Sequence, residues 1–263
     1  MEKIILHDQI IPEVQGIEKG DTLYVVSDIL QLSIVSKELG IRFDMNRFID
    51  SILERVGSQG NVLIPVFNWG FCRGELFDIR RTVSRTGALG NAAIKRNDFI
   101  RSRHPIYSFM VWGHDQQVLT EMDPVDSFGP GTIFEYMNEQ DAKVLAIGLP
   151  ALSGVTYIHH VEQMVGVPYR YHKNFRGTYI DREGNASEKT YSMYVRDLEM
   201  DPRYINGFQL LEEKMKKEGL IQVQQFYGVD FSLLKVRELD KIVQEDILHN
   251  DSRNMYVYNG QSK

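Results

Sequence analysis

Lys143-Val144-Leu145-Ala146-Ile147-Gly148-Leu149, with Gly154-Val155-Thr156-Tyr157-Ile158-His159-His160-Val161-Glu162 close behind it, is the stretch that decides the fold. Its first part is a short, unbroken apolar run, the signature of a strand buried on both faces. Its second part reads as a helix with Thr156 as N-cap. Thr156, His159 and Glu162 fall at i, i+3 and i+6, which puts a hydroxyl, an imidazole and a carboxylate on one helix face just past a strand end. An open α/β sheet binds its ligands there. A carboxylate steadies the imidazolium formed when an imidazole accepts a proton, so the trio is a candidate general-base set. The plainer alternative is a capped surface helix, with His159 or His160 facing water.

Working outward, Thr22-Leu23-Tyr24-Val25-Val26 and Asn61-Val62-Leu63-Ile64-Pro65-Val66-Phe67 read as two further buried strands. Between them, apolar residues at 45, 48, 49, 52, 53 and 56 give a helical period, with Asp44 as N-cap and Gly57 after the end. Strand, helix, strand reads as a βαβ unit and hence parallel pairing. Residues 68–91 carry little periodicity and read as a long loop, functional or mobile. Ala88–Lys95 and Ile133–Met137 read as short helices, and Ser108–Trp112 as a strand. Arg101 and Arg103, beside Ser102 and His104, suit either an anionic ligand or a solvated basic loop. Beyond residue 166, Tyr169–Ile180 and Glu188–Val195 flank a turn at 181–185, a hairpin signature. A helix at 207–218, an edge strand at 221–227 and a helix over Ser232–Asn250 complete the chain. The expected fold is α/β, with a central mixed, largely parallel sheet flanked by helices and a smaller, hairpin-containing C-terminal part. Residues 1–263 read as a single domain, with 169–230 as a substrate-side subregion.

Composition narrows the function. The 263 residues are 43% hydrophobic, enough for a large core. A net charge of −6 argues against a nucleic acid or an anionic membrane as main partner. The lone cysteine, Cys72, excludes an internal disulfide and a cysteine zinc cluster. The histidines and carboxylates match neither H-E-x-x-H nor H-x-x-E-H, so no metal is expected. The N-terminal residues show no apolar leader, no run is long enough to span a membrane, and a cytoplasmic protein is expected. The tail at 260–263 reads as frayed. An edge strand and exposed aromatics leave a homodimer open.

Six ordered motifs then resemble the aminoglycoside 3-N-acetyltransferase (antibiotic N-acetyltransferase) family. They are Gly20-Asp21 with Ser27; Gly60–Phe67; Phe77-Asp78 with Gly87-Ala88-Leu89; Arg101-Ser102-Arg103-His104-Pro105 with Ser108; Phe128-Gly129-Pro130-Gly131; and Thr156–Glu162. They span roughly residues 15 to 175. The resemblance implies acetyl transfer from acetyl-coenzyme A to a sugar amine. It implies His159 as general base, Glu162 as its partner, and Thr156 near the thioester. It also implies Ser27, Asp28, Arg101, Ser102, His104, Ser108 and Gly129 along the coenzyme. Asn68, Trp69, Phe71, Tyr171 and Lys173 are the candidates for substrate contact. The chain departs from the family where His-Ser-Ser is expected, showing Ser27-Asp28-Ile29, and Ser33–Lys37 replaces a glycine-rich stretch. The basic, aromatic run Tyr169–Arg176 favours a substrate with phosphates and a stackable base over a polycation. A nucleotide-linked amino-dideoxy sugar, as in surface-polysaccharide biosynthesis, is therefore the expected acceptor. An aminoglycoside is the alternative, and a binding protein that kept the fold without the chemistry is the non-enzymatic one.

Overall fold

The computed structural model describes residues 7–199 and 204–258. The expectations for the first six residues and for the tail at 260–263 lie outside it. In chain order the elements are His7–Glu13 (α1), Thr22–Ser27 (β1), Leu30–Glu38 (α2), Met45–Val56 (α3), Asn61–Pro65 (β2), Phe77–Asp78 (β3), Ala88–Ala93 (α4), Ile100–Arg101 (β4), Phe109–Gly113 (β5), Gln116–Glu121 (α5) and Ile133–Glu139 (α6). They continue with Lys143–Ile147 (β6), Tyr157–Val165 (α7), Arg170–Ile180 (β7), Ala186–Arg196 (β8), Tyr204–Asn206 (β9), Gln209–Lys217 (α8), Ile221–Phe226 (β10), Val229–Lys235 (β11), Val236–Asn250 (α9) and Tyr256–Tyr258 (β12).

A seven-stranded mixed sheet, in the order β10-β11-β6-β1-β2-β5-β4, forms the centre. Its parallel part is the trio β6-β1-β2, and antiparallel strands extend it on both flanks. Strand alternation then builds two apolar layers. Tyr24, Val26, Leu63, Val144 and Ala146 face one, while Leu23, Val25, Val62, Ile64, Leu145 and Ile147 face the other. Both faces are covered, which is why the strands read as continuous apolar runs. Asp44 caps α3 as expected, its carboxylate accepting from the amides of Asn46 and Arg47.

From β1 the chain crosses through α2 and α3 to β2 on one side, while β6 lies on the other. The strand order therefore reverses beside β1, and a crevice opens at the carboxyl ends of β1 and β6. At the exit of β6, Gly148 has φ +69, and a Cβ there would stand 2.2 Å from the carbonyl oxygen of Asp28. Only glycine lets the two strand exits pass so closely.

Two local readings change. Ser232–Lys235 belong to β11 and not to the following helix, since Gly228 allows a tight turn and β11 pairs antiparallel with both β10 and β6. An apolar Leu-Leu pair suits a buried strand as well as a helix, and pairing decides it. The stretch 68–91 is packed, with Phe71 and Phe77 buried and β3 paired in parallel with β7. The β7–β8 hairpin, the arm, forms as read, and its residues 171–174 are exposed. Truncating Leu145, fully buried in β6, to Ala should cost about 2–5 kcal/mol in urea unfolding.

Candidate functional site

The site is built on α7. Its first turn follows the crevice loop, which is tied to β1 by the Tyr24 hydroxyl donating to the Gly154 carbonyl at 3.2 Å. Thr156 stands at the N-cap position with helical φ and ψ of −62 and −16, and its side chain caps no amide. It lines a cavity of about 300 Å³ instead, with Val26, Ser27, Pro65, Phe67, Trp69, Thr86, Leu149, Ser153 and Gly154. One turn on, along the same face, His159 places Nδ1 2.7 Å from Glu162 Oε2.

Glu162 is a fully buried carboxylate whose partners come from distant parts of the chain. Oε2 also pairs with Arg170 of β7 at 2.9 Å. Oε1 accepts from the Tyr169 hydroxyl at 3.2 Å and from the Tyr256 hydroxyl in a short contact. Burial alone would raise its pKa; the His159 hydrogen bond and the Arg170 charge outweigh that and hold it below the usual carboxylate range. An ionised carboxylate 2.7 Å from an imidazole nitrogen requires a proton between them, so Nδ1–H donates and Nε2 keeps its lone pair. Burial, then the Arg170 charge, lower the His159 pKa, against the pull of Glu162. The imidazole is therefore neutral at pH 7, and its side chain is 22% exposed. Phe128 packs edge-on against it at 5.5 Å. His160 points away, 4% exposed, with Nδ1 2.5 Å from the Phe128 carbonyl.

The expected coenzyme residues divide. Ser27 lines the cavity. Asp28 does not; its carboxylate accepts from the Leu30 amide at the start of α2. Arg101 is 5% exposed, its guanidinium donating to Ser108 Oγ, to the Val66 carbonyl and to the Thr82 carbonyl, with Phe77 4.8 Å beneath it. Those donors are occupied by protein acceptors. Ser108 is fully buried beside it, also bonding the Val66 carbonyl. Ser102 is buried and accepts from the Phe109 amide. Burial pushes His104 down to about 3, and its Nδ1 accepts from the amides of Ile106 and Tyr107. Gly129 is a close-packing position, where a Cβ would stand 2.7 Å from Gln163 Nε2. In the second motif cluster these polar groups are thus engaged by the chain itself, an arrangement that residue types alone do not distinguish from ligand binding.

Among the expected acceptor contacts, Trp69 lines the cavity and donates to the Tyr107 hydroxyl at 3.3 Å. Phe71 is core, 2% exposed against Gly177 and Tyr191. Asn68 is buried, its amide bracing the loop through the Val83 carbonyl and the Gly70 amide. Tyr171 and Lys173 lie exposed on the arm, Lys173 Nζ 5.6 Å from the Phe175 ring. Cys72 is half-buried, and burial raises its thiol to about 11, too protonated for an acyl-carrying nucleophile. Sequence reasoning takes Tyr169 and Arg170 only as part of a basic, aromatic substrate-side run, not as partners of Glu162, and misses Tyr256. Tyr256 lies 94 residues from Glu162, and no local spacing announces it.

A helix-borne His–Glu pair with a neutral imidazole, one turn beyond a residue that lines a cavity at a sheet switch point, has the chemistry a general base requires. The family model for aminoglycoside 3-N-acetyltransferase matches residues 35–247, and the chain belongs to that family: it is an acyltransferase whose acyl donor is acetyl-coenzyme A. The fold is similar to AAC-IIIb in its binary complex with CoASH, at 16% identity, covering 98% of this chain and 99% of that one, with a TM-score of 0.75. The YokD protein from Bacillus subtilis is similar at 19% identity, with 96% and 97% covered and a TM-score of 0.75. The aminoglycoside acetyltransferase AAC(3)-Xa is similar at 19% identity, with 92% of each chain covered and a TM-score of 0.76. No curated protein sequence matches the chain. Among the described residues, no helix is long and apolar enough to cross a membrane.

Arg101→Met should lower stability by about 3 kcal/mol through the buried acceptors it strands, with the KM for acetyl-coenzyme A unchanged in the folded fraction. A raised KM at wild-type stability would return Arg101 to the donor site.

Proposed function

We propose that this enzyme acetylates an amine of an aminoglycoside, with His159 as general base in a direct transfer from acetyl-coenzyme A. The observation that carries the reading is the neutral His159 imidazole, held on the buried Glu162 carboxylate one turn beyond cavity-lining Thr156. The family to which the chain belongs supports the acceptor class.

The cavity lining suits the donor. Ser27, Thr86 and Thr156 supply hydroxyls among Val26, Pro65, Phe67 and Leu149, an uncharged lining suited to an amide-bearing arm. The bound donor supplies an electrophilic thioester carbonyl. Thr156 is placed to donate a hydrogen bond to its oxygen or to the leaving sulfur. His159 Nε2 takes a proton from the attacking amine nitrogen as the C–N bond forms. Collapse breaks the C–S bond, and the same Nε2 returns that proton to the thiolate. Glu162 remains ionised throughout and steadies the transient imidazolium. A half-buried thiol raised to about 11 favours this single displacement over an acyl-cysteine route.

One observation keeps the nucleotide-linked amino sugar as the second reading, and no longer as the first. The cavity lining contains no carboxylate, while Lys173 and Arg176 are exposed on the arm. A polycation would meet no complementary charge among those lining residues.

A thiol-release assay with acetyl-coenzyme A against aminoglycosides and against TDP- and UDP-linked aminodideoxyhexoses tests the acceptor. Turnover on the aminoglycosides is expected; turnover confined to the nucleotide sugars would overturn that choice. His159→Asn should lower kcat by about 10²–10⁴ with little change in donor affinity, and wild-type turnover would move the base elsewhere. The base works when neutral, and the His159 pKa is lowered from its ordinary 6.5. Activity should therefore be held down to below pH 6.5 and lost as pH falls through the lowered value, measured as kcat/KM against pH.

A further inference from the structure

Arg170 opens β7, and its side chain is 7% exposed. One terminal nitrogen, Nη2, lies 2.9 Å from Glu162 Oε2, 3.2 Å from the Tyr256 hydroxyl and 3.0 Å from His159 Nδ1. That nitrogen carries two hydrogens. The carboxylate and the phenol oxygen take them, and Tyr256 in turn donates to Glu162 Oε1. Nδ1 is left as a second donor to Oε2, side by side with a guanidinium nitrogen. The other terminal nitrogen donates to the Tyr194 carbonyl at 3.1 Å, which ties the guanidinium to β8 of the arm.

From this geometry we infer that Arg170 is a positioning residue for the transfer, fixing Glu162 and through it the His159 imidazole with Nδ1 turned inward and Nε2 outward. The inference rests on the reading of His159 as the base. Without the guanidinium, Oε2 loses its cationic partner at 2.9 Å and the imidazole loses the like charge that a proton on it would meet at 3.0 Å. Glu162 would then act on His159 alone and favour the imidazolium, which is no base.

The other groups that face His159 leave Arg170 as the deciding charge. On α7 these are Glu162, its hydrogen-bond partner, and His160, which is turned to the Phe128 carbonyl. Tyr169, ahead of β7, and Tyr256, on β12, are phenols whose pKa values are raised, Tyr169 chiefly by burial and then by the Glu162 charge, so both stay neutral. In the loop beside Phe128, Asp126 is engaged by Gln163 at 2.6 Å and by His172 at 3.7 Å. Burial lowers the proton affinity of His159, and the Arg170 charge acts in the same direction.

The test uses the full chain as Arg170→Gln and Arg170→Lys. Long-range ¹H–¹⁵N spectra of histidine-labelled protein follow the His159 nitrogens with pH, assigned through His159→Asn. Pre-steady and steady-state turnover of acetyl-coenzyme A with kanamycin is measured over the same range. In wild type the Nδ1–H tautomer is expected. In Arg170→Gln, the His159 titration and the acid limb of kcat/KM should both move to higher pH. At a pH below both midpoints the loss should then exceed that at pH 8.5 by about tenfold, the factor produced when a titration midpoint moves by one on the pH scale. Arg170→Lys, which keeps the charge without the fork, should fall between the two, and it carries the comparison if Arg170→Gln does not fold. An equal loss at every pH with an unmoved His159 titration would make Arg170 a structural contact and overturn the inference. A moved titration in a protein that acetylates no amine would support the positioning role and sink the functional reading instead.

Discussion

A single ionised carboxylate, Glu162, is the constraint around which this molecule is arranged. It is fully buried, and a bare charge there would cost several kcal/mol or more. The fold meets it with four groups: the His159 imidazole from the same helix, the Arg170 guanidinium from the base of the hairpin, and the hydroxyls of Tyr169 and Tyr256. Those groups span the chain from α7 to β12, so the charge joins α7 to the arm and to β12. Removing any one partner leaves the others around a less compensated ion, and the tautomer of His159 depends on all of them.

The sheet supplies the second requirement, a place for the helix to begin. The reversal of strand order beside β1 leaves the carboxyl ends of β1 and β6 open, and the loop from 148 to 156 fills that edge without closing it. Gly148 brings the exits of β1 and β6 together, and Tyr24 pins Gly154 from below. The N-cap of α7 therefore stands at a cavity lined by hydroxyls and apolar side chains, with Trp69 and Thr156 both on its wall. The Arg101–Ser108 cluster does its part at a distance. It clamps the carbonyls of Val66 and Thr82, and so fixes the wall that carries Phe67 and Trp69.

Much of this is legible in the residues. The apolar runs at 22–26, 61–67 and 143–149 form strands because each is buried on both faces. The 3.6-residue period of 45–56 forms α3, and the T-x-x-H-x-x-E spacing puts His159 and Glu162 in contact because i and i+3 are neighbours on any helix. The cluster at 101–108 is ambiguous for a physical reason. An arginine, two serines and a histidine make the same string whether they hold a phosphate or hydrogen-bond backbone carbonyls, and only burial tells the two apart. Asp28 and Asn68 follow the same pattern, each polar group being used by its own loop.

What the sequence determined by itself is everything that depends on short range: strand and helix periods, the turn glycines, and an imidazole beside a carboxylate on one helix face. What only the tertiary structure decided is the state of that pair. The charge beside Glu162 arrives from β7, the hydroxyls that hold Oε1 arrive from residues 169 and 256, and the cavity comes from strand order. Electrostatic environment is a sum over groups near in space and far in sequence, so a neutral His159 with Nε2 free is a property of the fold, not of the motif.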